Sequence, residues 1–125
     1  MTNSIGRTRW AIPEGFIPSE SLPGAGRPLV SHEAVCILNA GDADAHVAIT
    51  LYFVDREPAG PYRIDVAARR TLHLRLNELE DPEPVPRDID YASLIVSDVP
   101  IVVQHTRLDS RPAQFALLST MAFAG

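Results

Sequence analysis

Apolar and polar residues alternate with a period of two along most of this 125-residue chain, and nowhere do apolar residues recur at three, four and seven over three helical turns. The pattern predicts an all-β protein. In AHVAITLYFV, residues 45–54, Val47, Ile49, Leu51 and Phe53 share one face, while His46, Thr50 and Tyr52 share the other. PYRIDVA repeats the pattern with Tyr62, Ile64 and Val66 inward and Arg63 and Asp65 outward. RRTLHLRLN does so with Leu72, Leu74 and Leu76 inward, leaving His73 and Arg75 to face solvent or a neighbouring chain.

Two runs are apolar on both faces. EAVCILNA, 33–40, and YASLIVS, 91–97, are therefore expected to lie centrally in a sheet or under a second surface. NAGDAD, with Asn39, Gly41 and Asp42, predicts a hairpin between strands 33–40 and 45–54. Further turns are predicted at DREPAGP, at VAAR and, tightly, at SDVP before a strand at about 100–109. With RTRWAI near the start and FALLSTMAF, 115–123, at the end, about eight short strands emerge, spaced as in sandwiches and barrels. Residues 13–31 hold too many prolines and glycines for a continuous element and read as a long loop. The stretch 77–90 reads as a second loop, with one helical turn at Leu76 to Leu79.

Length and composition fit one globular domain, 1–125. No apolar run is long enough for a membrane-spanning helix, and MTNSIGRTRW lacks the apolar segment of a signal peptide, so a cytoplasmic protein is expected. The lone Cys36 has no partner for a disulfide or a CxxC metal site and reads as a small buried hydrophobe. Charge is unevenly spread: Glu78, Glu80, Asp81, Glu83, Asp88 and Asp90, against Arg87, carry the whole net charge of −5. Such a run reads as a solvated loop, or as a docking site for a basic partner. Every basic residue is arginine, suited to carboxylate, phosphate or aromatic faces. Without a basic cluster, the electrostatic footprint of a nucleic-acid binder is missing from the monomer, which leaves DNA binding to arginines gathered on one face of an oligomer.

His32, His46, His73 and His105 fall on four separate segments without HxH, HxxxH or HExxH spacing, so neither metal nor cofactor is expected. Ser31, His32 and Glu33 are sequence neighbours, and on a strand their side chains alternate between faces and cannot form a relay. Catalysis is not expected. The most loaded stretch is VVQHTRLDS, 102–110. Ile101, Val103, His105, Arg107 and Asp109 share a face that turns from apolar to charged halfway along, while Val102, Gln104, Thr106 and Leu108 share the other. Two readings fit: a strand whose second half lines a cleft, or one that leaves the sheet with Arg107 and Asp109 as an internal salt bridge. An arginine among Asp and His suits an anionic or hydroxylated ligand, or a second subunit. Trp10, Phe16, Tyr52, Tyr62 and Tyr91 could stack on a sugar ring, although core packing is the commoner fate of such residues.

The strings IGRTRWAIPEGFIP, SHEAVCILNAGDADAHVAITLYFVDREPAGPYR, ARRTLHLRLN and VPIVVQHTRLDSRPAQFALLSTMAF resemble the sensory rhodopsin transducer family over nearly the whole chain. The resemblance implies a jelly-roll-like antiparallel β-sandwich assembled as a homotetramer, with a non-enzymatic signal-transducing role. The implied partners are a membrane photoreceptor's cytoplasmic face or a sugar-like metabolite. Residues falling in the most characteristic strings are Trp10, Glu14, His32, Glu33, Asn39, Asp55, Arg56, Arg70, Gln104, His105, Arg107, Asp109 and Arg111. Of these, Trp10, His32, Glu33, Arg56, Gln104, His105, Arg107, Asp109 and Arg111 are the candidates for a ligand or subunit site. A pure interaction adaptor, with the acidic loop meeting a receptor's basic patch, is the main alternative.

Overall fold

The computed structural model describes residues 5–113 and 115–125; the first four residues, at the start of the stretch read for a signal peptide, and Gln114 lie outside the described residues. It is an all-β, antiparallel sandwich of eight strands: β1 (Arg7–Phe16), β2 (His32–Asn39), β3 (Ala45–Phe53), β4 (Ala59–Val66), β5 (Arg70–Arg75), β6 (Asp90–Asp109), β7 (Ala116–Met121) and β8 (Phe123–Ala124). One layer runs β4-β3-β6-β1-β8; the other is formed by β5, β2, β6 and β7. β6 belongs to both. Its first half pairs with β3 and β1, its second half with β2 and β7, so one continuous sheet folds over on itself without closing into a barrel.

The tight turn expected at SDVP is instead the point where β6 changes layers. The register of β1 against β6 shifts between Arg7, opposite Ile101, and Arg9, opposite Val96, which leaves a bulge over Ser97 to Pro100. Pro100 has no N–H to give to a ladder, and Val99 donates its own to Ser97 Oγ at 3.3 Å. Asp98 accepts the His46 N–H at 2.8 Å and meets its imidazole at 2.7 Å, tying the bulge to the start of β3. A bulge bends and twists a strand without ending it, and here it carries the chain between layers.

The hairpin expected at NAGDAD is also corrected. The turn exists, but β2 pairs with β5 and β6 whereas β3 pairs with β4 and β6, so it is a corner between layers. Both flanking strands bury an apolar face, Val35 and Ile37 on one and Val47 and Ile49 on the other, within a single core. Packing these faces against each other buries both, whereas pairing the strands edge to edge in one layer would not. Asn39, fully buried, holds the corner: its amide donates to Ala43 O at 2.9 Å and Val66 O at 3.0 Å, and its oxygen accepts the Gly41 N–H at 3.0 Å.

The other expectations fare unevenly. Val47, Ile49, Leu51, Tyr62 and Val66 are buried as the alternation predicts, and a 3-10 turn occupies Leu76–Glu78. β1 runs on to Phe16, so Pro13, Glu14, Gly15 and Phe16, expected in the loop 13–31, are strand. The run 115–123 is two strands, because Ala122, donating to Val103 O at 3.2 Å, is where the chain crosses from the second layer to the first. Cys36 is only half-buried, on the outer face of the second layer.

Asn39→Ala is expected to destabilise the protein by about 2 kcal/mol, since it leaves buried carbonyls and an N–H without partners. Urea unfolding of both forms measures this, and a loss below about 0.5 kcal/mol would show that water replaces the amide.

Candidate functional site

Alternation along β2 turns Glu33, Val35 and Ile37 to the same side, and along β6 it does the same for Val103, His105 and Arg107. Register places Glu33 opposite Arg107 and Val35 opposite His105. Both inner faces thus change from apolar to ionisable at the same end of the sandwich. The Glu33 side chain is completely buried. Its Oε1 accepts from His105 Nε2 at 2.7 Å and from the Tyr91 hydroxyl at 3.0 Å, and its Oε2 accepts from Arg107 Nε at 2.9 Å and from the Phe16 N–H at 2.5 Å. β1, β2 and both halves of β6 therefore meet on one carboxylate.

Tyr91 reaches Glu33 because Gly15 lies under its ring. A Cβ at Gly15 would stand 2.4 Å from the ring carbon Cε1 of Tyr91. Burial, reinforced by the Glu33 carboxylate, pushes the Tyr91 phenol far above its ordinary range, so it remains a donor. Burial alone would raise Glu33 too. The hydrogen bonds from His105, Phe16 and Arg107 outweigh it and hold Glu33 below the ordinary carboxylate value of 4.5. Four donors fill the roughly four lone-pair positions of a carboxylate. Glu33 has no free acceptor with which to take a proton from a substrate, so its role is to hold its donors in place.

Beyond Glu33 the cluster opens into a cleft of about 510 Å3 between β1, β6 and the β7–β8 crossing. His105 and Arg107 form its polar wall, Glu14 stands at its rim, and Ile12, Leu118 and Phe123 supply much of its apolar wall. Arg107 bridges Glu33 and Glu14, the latter through Nη1 at 3.2 Å, while the Glu14 side chain is 77% exposed. Among the described residues, Arg107 Nη2 and His105 Nδ1 have no partner, and no deeply buried side-chain polar atom is left unpaired.

Of the residues singled out in the sequence, Glu33, His105 and Arg107 come together. Asp109 lies further along β6, where it pairs with Arg111, Nε to Oδ1 at 2.9 Å, and not with Arg107. That hydrogen-bonded pair holds the Asp109 carboxyl below its usual range, and the Arg111 guanidinium lies 5.6 Å over the Phe16 ring. Gln104 points to the opposite, outer face. Trp10 is a core residue whose ring N–H donates to Ile101 O at 3.1 Å. His32 bonds the carbonyl of Val30 at 2.6 Å, and Arg56 pairs with Glu83 at 2.9 Å while lying 4.5 Å over the Phe53 ring. None of these four bonds to the Glu33 cluster. The sequence marks Tyr91 only as a possible stacking surface or core residue, and Glu14, through the family resemblance, as a polar-site candidate without an assigned role. The signal that locates the centre is an acidic residue at an inward position of one strand facing an inward arginine on another, which becomes visible once their register is known.

An antiparallel sandwich with a saturated, buried carboxylate at one end defines a small all-β protein organised on a buried ionic cluster. The chain belongs to the Anabaena sensory rhodopsin transducer family, whose model matches residues 5–124, and so is signal-transducer-like. A solved structure of the Anabaena sensory rhodopsin transducer is 59% identical, covering 84% of this chain and 100% of that one, with a TM-score of 0.72. Another, Thermotoga maritima 1070, is 33% identical, covers 96% of each chain and has a TM-score of 0.84. No curated protein matches the chain. Among the described residues, no helix is long and apolar enough to cross a membrane.

Because Glu33 titrates lower in the folded state than in the unfolded chain, its stabilisation is present above pH 4.5 and is lost as pH falls through its depressed value. Glu33→Gln should lose about 3 kcal/mol at neutral pH, as expected for a broken buried pair, and should show a shallower loss of stability below pH 4.5. Denaturant unfolding across the acid range measures both effects, and parallel acid limbs would contradict the assignment.

Proposed function

We propose that this chain is a non-enzymatic, cytoplasmic coupling protein that works as a homotetramer and joins a receptor or metabolite signal to subunit contacts. The observation that carries the reading is β7. Among the described residues it pairs only with β6, every one of its residues is exposed, and residues 112–125 carry no charged side chain. Monomeric proteins blunt such edges with charge, proline or a covering element. Leu117 and Met121, 69% and 56% exposed, extend the outer face of the second layer formed by Leu38, Val102 and Gln104. A second copy of the chain covers this surface in the proposed assembly. The opposite side of β7, with Leu118 and Thr120, lies over His105 and Arg107. One strand therefore touches both the ionic centre and the proposed subunit contact, which is the arrangement a coupling protein needs.

The named relative supports a sensory rhodopsin as the receptor. For its docking we favour the acidic loop between β5 and β6. Glu78 and Glu83 are committed to Arg27 and Arg56, and Asp88 to the Ser19 N–H. Glu80, Asp81 and Asp90 are exposed, with no side-chain partner among the described residues, and remain available to a basic cytoplasmic surface. The cleft beside Arg107 is where we place the other input, a small metabolite.

Replacing Leu117 and Met121 together by Asp should convert a tetramer into smaller species in analytical ultracentrifugation while leaving the far-ultraviolet circular dichroism unchanged. A wild-type monomer at micromolar concentration, or a variant that stays tetrameric, would count against the assembly. Neutralising Glu80, Asp81 and Asp90 as amides should weaken binding to a sensory rhodopsin in nanodiscs and flatten its salt dependence. Unchanged affinity would remove the loop from the account.

A further inference from the structure

The cleft at the mouth of the sandwich has features that specify a ligand more narrowly than the word metabolite does. At about 510 Å3 it falls within the size range of small-molecule sites, roughly 300–1,000 Å3. Its polar groups gather on one wall, where Arg107 and His105 are held rigidly by the buried Glu33. Glu33 occupies Arg107 Nε and Glu14 bonds Nη1, leaving Nη2 without a partner among the described residues. The Arg107 side chain is only 20% exposed, so its remaining donors open chiefly into the cleft. The other walls, from Ile12, Leu118, Met121, Ala122 and Phe123, carry no hydrogen-bonding side chain, and Thr120 adds one hydroxyl. A polyol laid against those walls would leave most of its hydroxyls unpaired, at a cost for each.

Glu14 is the second pointer. Its carboxylate sits on Arg107 from the rim, mostly in water and at a long 3.2 Å, the kind of exposed ion pair that contributes little. It occupies a position that a ligand's carboxylate would take with better burial.

We propose that this cleft binds a small carboxylate with an apolar body, the acid group displacing Glu14 from Arg107 and the hydrocarbon lying against Ile12, Leu118 and Phe123. The inference rests on the ligand-input reading above and narrows it. The donors on this wall come from Arg107, whose guanidinium faces the carboxylate, while His105, with its Nε2 bonded to Glu33, lines the same wall. Because Leu118 and Thr120 share β7 with Leu117 and Met121, an occupant of the cleft sets the seat of the strand that faces the subunit contact.

Isothermal titration calorimetry of the full chain with hexanoate, hexanol and gluconate separates the outcomes. Hexanoate is expected to bind with a Kd on the order of 1 mM, as befits so few atoms, and hexanol and gluconate at least tenfold more weakly. Glu14→Gln should tighten hexanoate binding about two- to fivefold by removing the competing carboxylate. Arg107→Gln should abolish binding, and since it also strips Glu33 of a donor, Thr120→Trp, on an exposed edge strand, serves as the independent block of the cleft. Binding of gluconate in preference to hexanoate would overturn the apolar-acid assignment and leave the metabolite reading standing. Binding of none of the three would overturn both. Unchanged hexanoate affinity in Glu14→Gln and Thr120→Trp would place any binding elsewhere and overturn the site.

Discussion

The structure depends on one buried carboxylate. Glu33 has no contact with solvent, and a lone ion in that position would be prohibitively costly. It is tolerated because four donors from β1 and the two halves of β6 converge on it, and each of them is fixed by something else: Tyr91 by its place over Gly15, His105 and Arg107 by their register against β2, and Phe16 N–H by the strand it ends. A charge that must be fully partnered enforces geometry more strictly than apolar packing does, because a small shift leaves an atom unpaired. The end of the sandwich that bears the cleft is therefore its most exactly positioned part, while the apolar core between Val35, Ile49 and Ile95 supplies most of the burial.

Around that point the polar loops are ordered by the same kind of accounting. Asn77 accepts the Glu33 N–H and donates to Ser31 O, joining the acidic segment to β2. Ser31 and Ser110, both buried, share their hydroxyls with Ser110 N–H and Leu22 N–H, which pins the proline-rich segment to the end of β6. Tyr62 donates to Glu83 O at 2.8 Å and fastens the acidic loop from the other side. Both stretches that composition marks as loops are thus held by a few side-chain bonds to backbone.

Much of this was legible in the sequence, and the failures have a common cause. Alternation identifies an all-β chain and most of the buried faces, since a face is a property of one strand. It also exposes the change of character at His105 on β6. It cannot say which strands become neighbours. Asn39 and Gly41 make a turn whether the strands that leave it pair with each other or enter opposite layers, and the two-faced run 91–97 does not announce that it continues through a proline into 100–109. Glu33 was therefore visible as a candidate, but its meeting with Tyr91, 58 residues on, was not. Arg107 and Asp109 share a face and look like a pair, yet register gives Arg107 to Glu33, and the nearer guanidinium of Arg111 takes Asp109.

β6 also has a bearing on how the chain is made. Its partners β1, β2 and β3 are all synthesised before it, and none of the three pairs with another of the three. As the chain leaves the ribosome, the first 89 residues hold only two strand pairings, β3 with β4 and β2 with β5. Until β6 emerges no strand pairs into both layers. Such a topology closes late and all together, with long loops to order before any non-local contact repays them. A stop or frameshift between β5 and β6 would leave β3 with β4 and β2 with β5 as two strand pairs on one chain with no strand to join them, rather than a shortened sandwich.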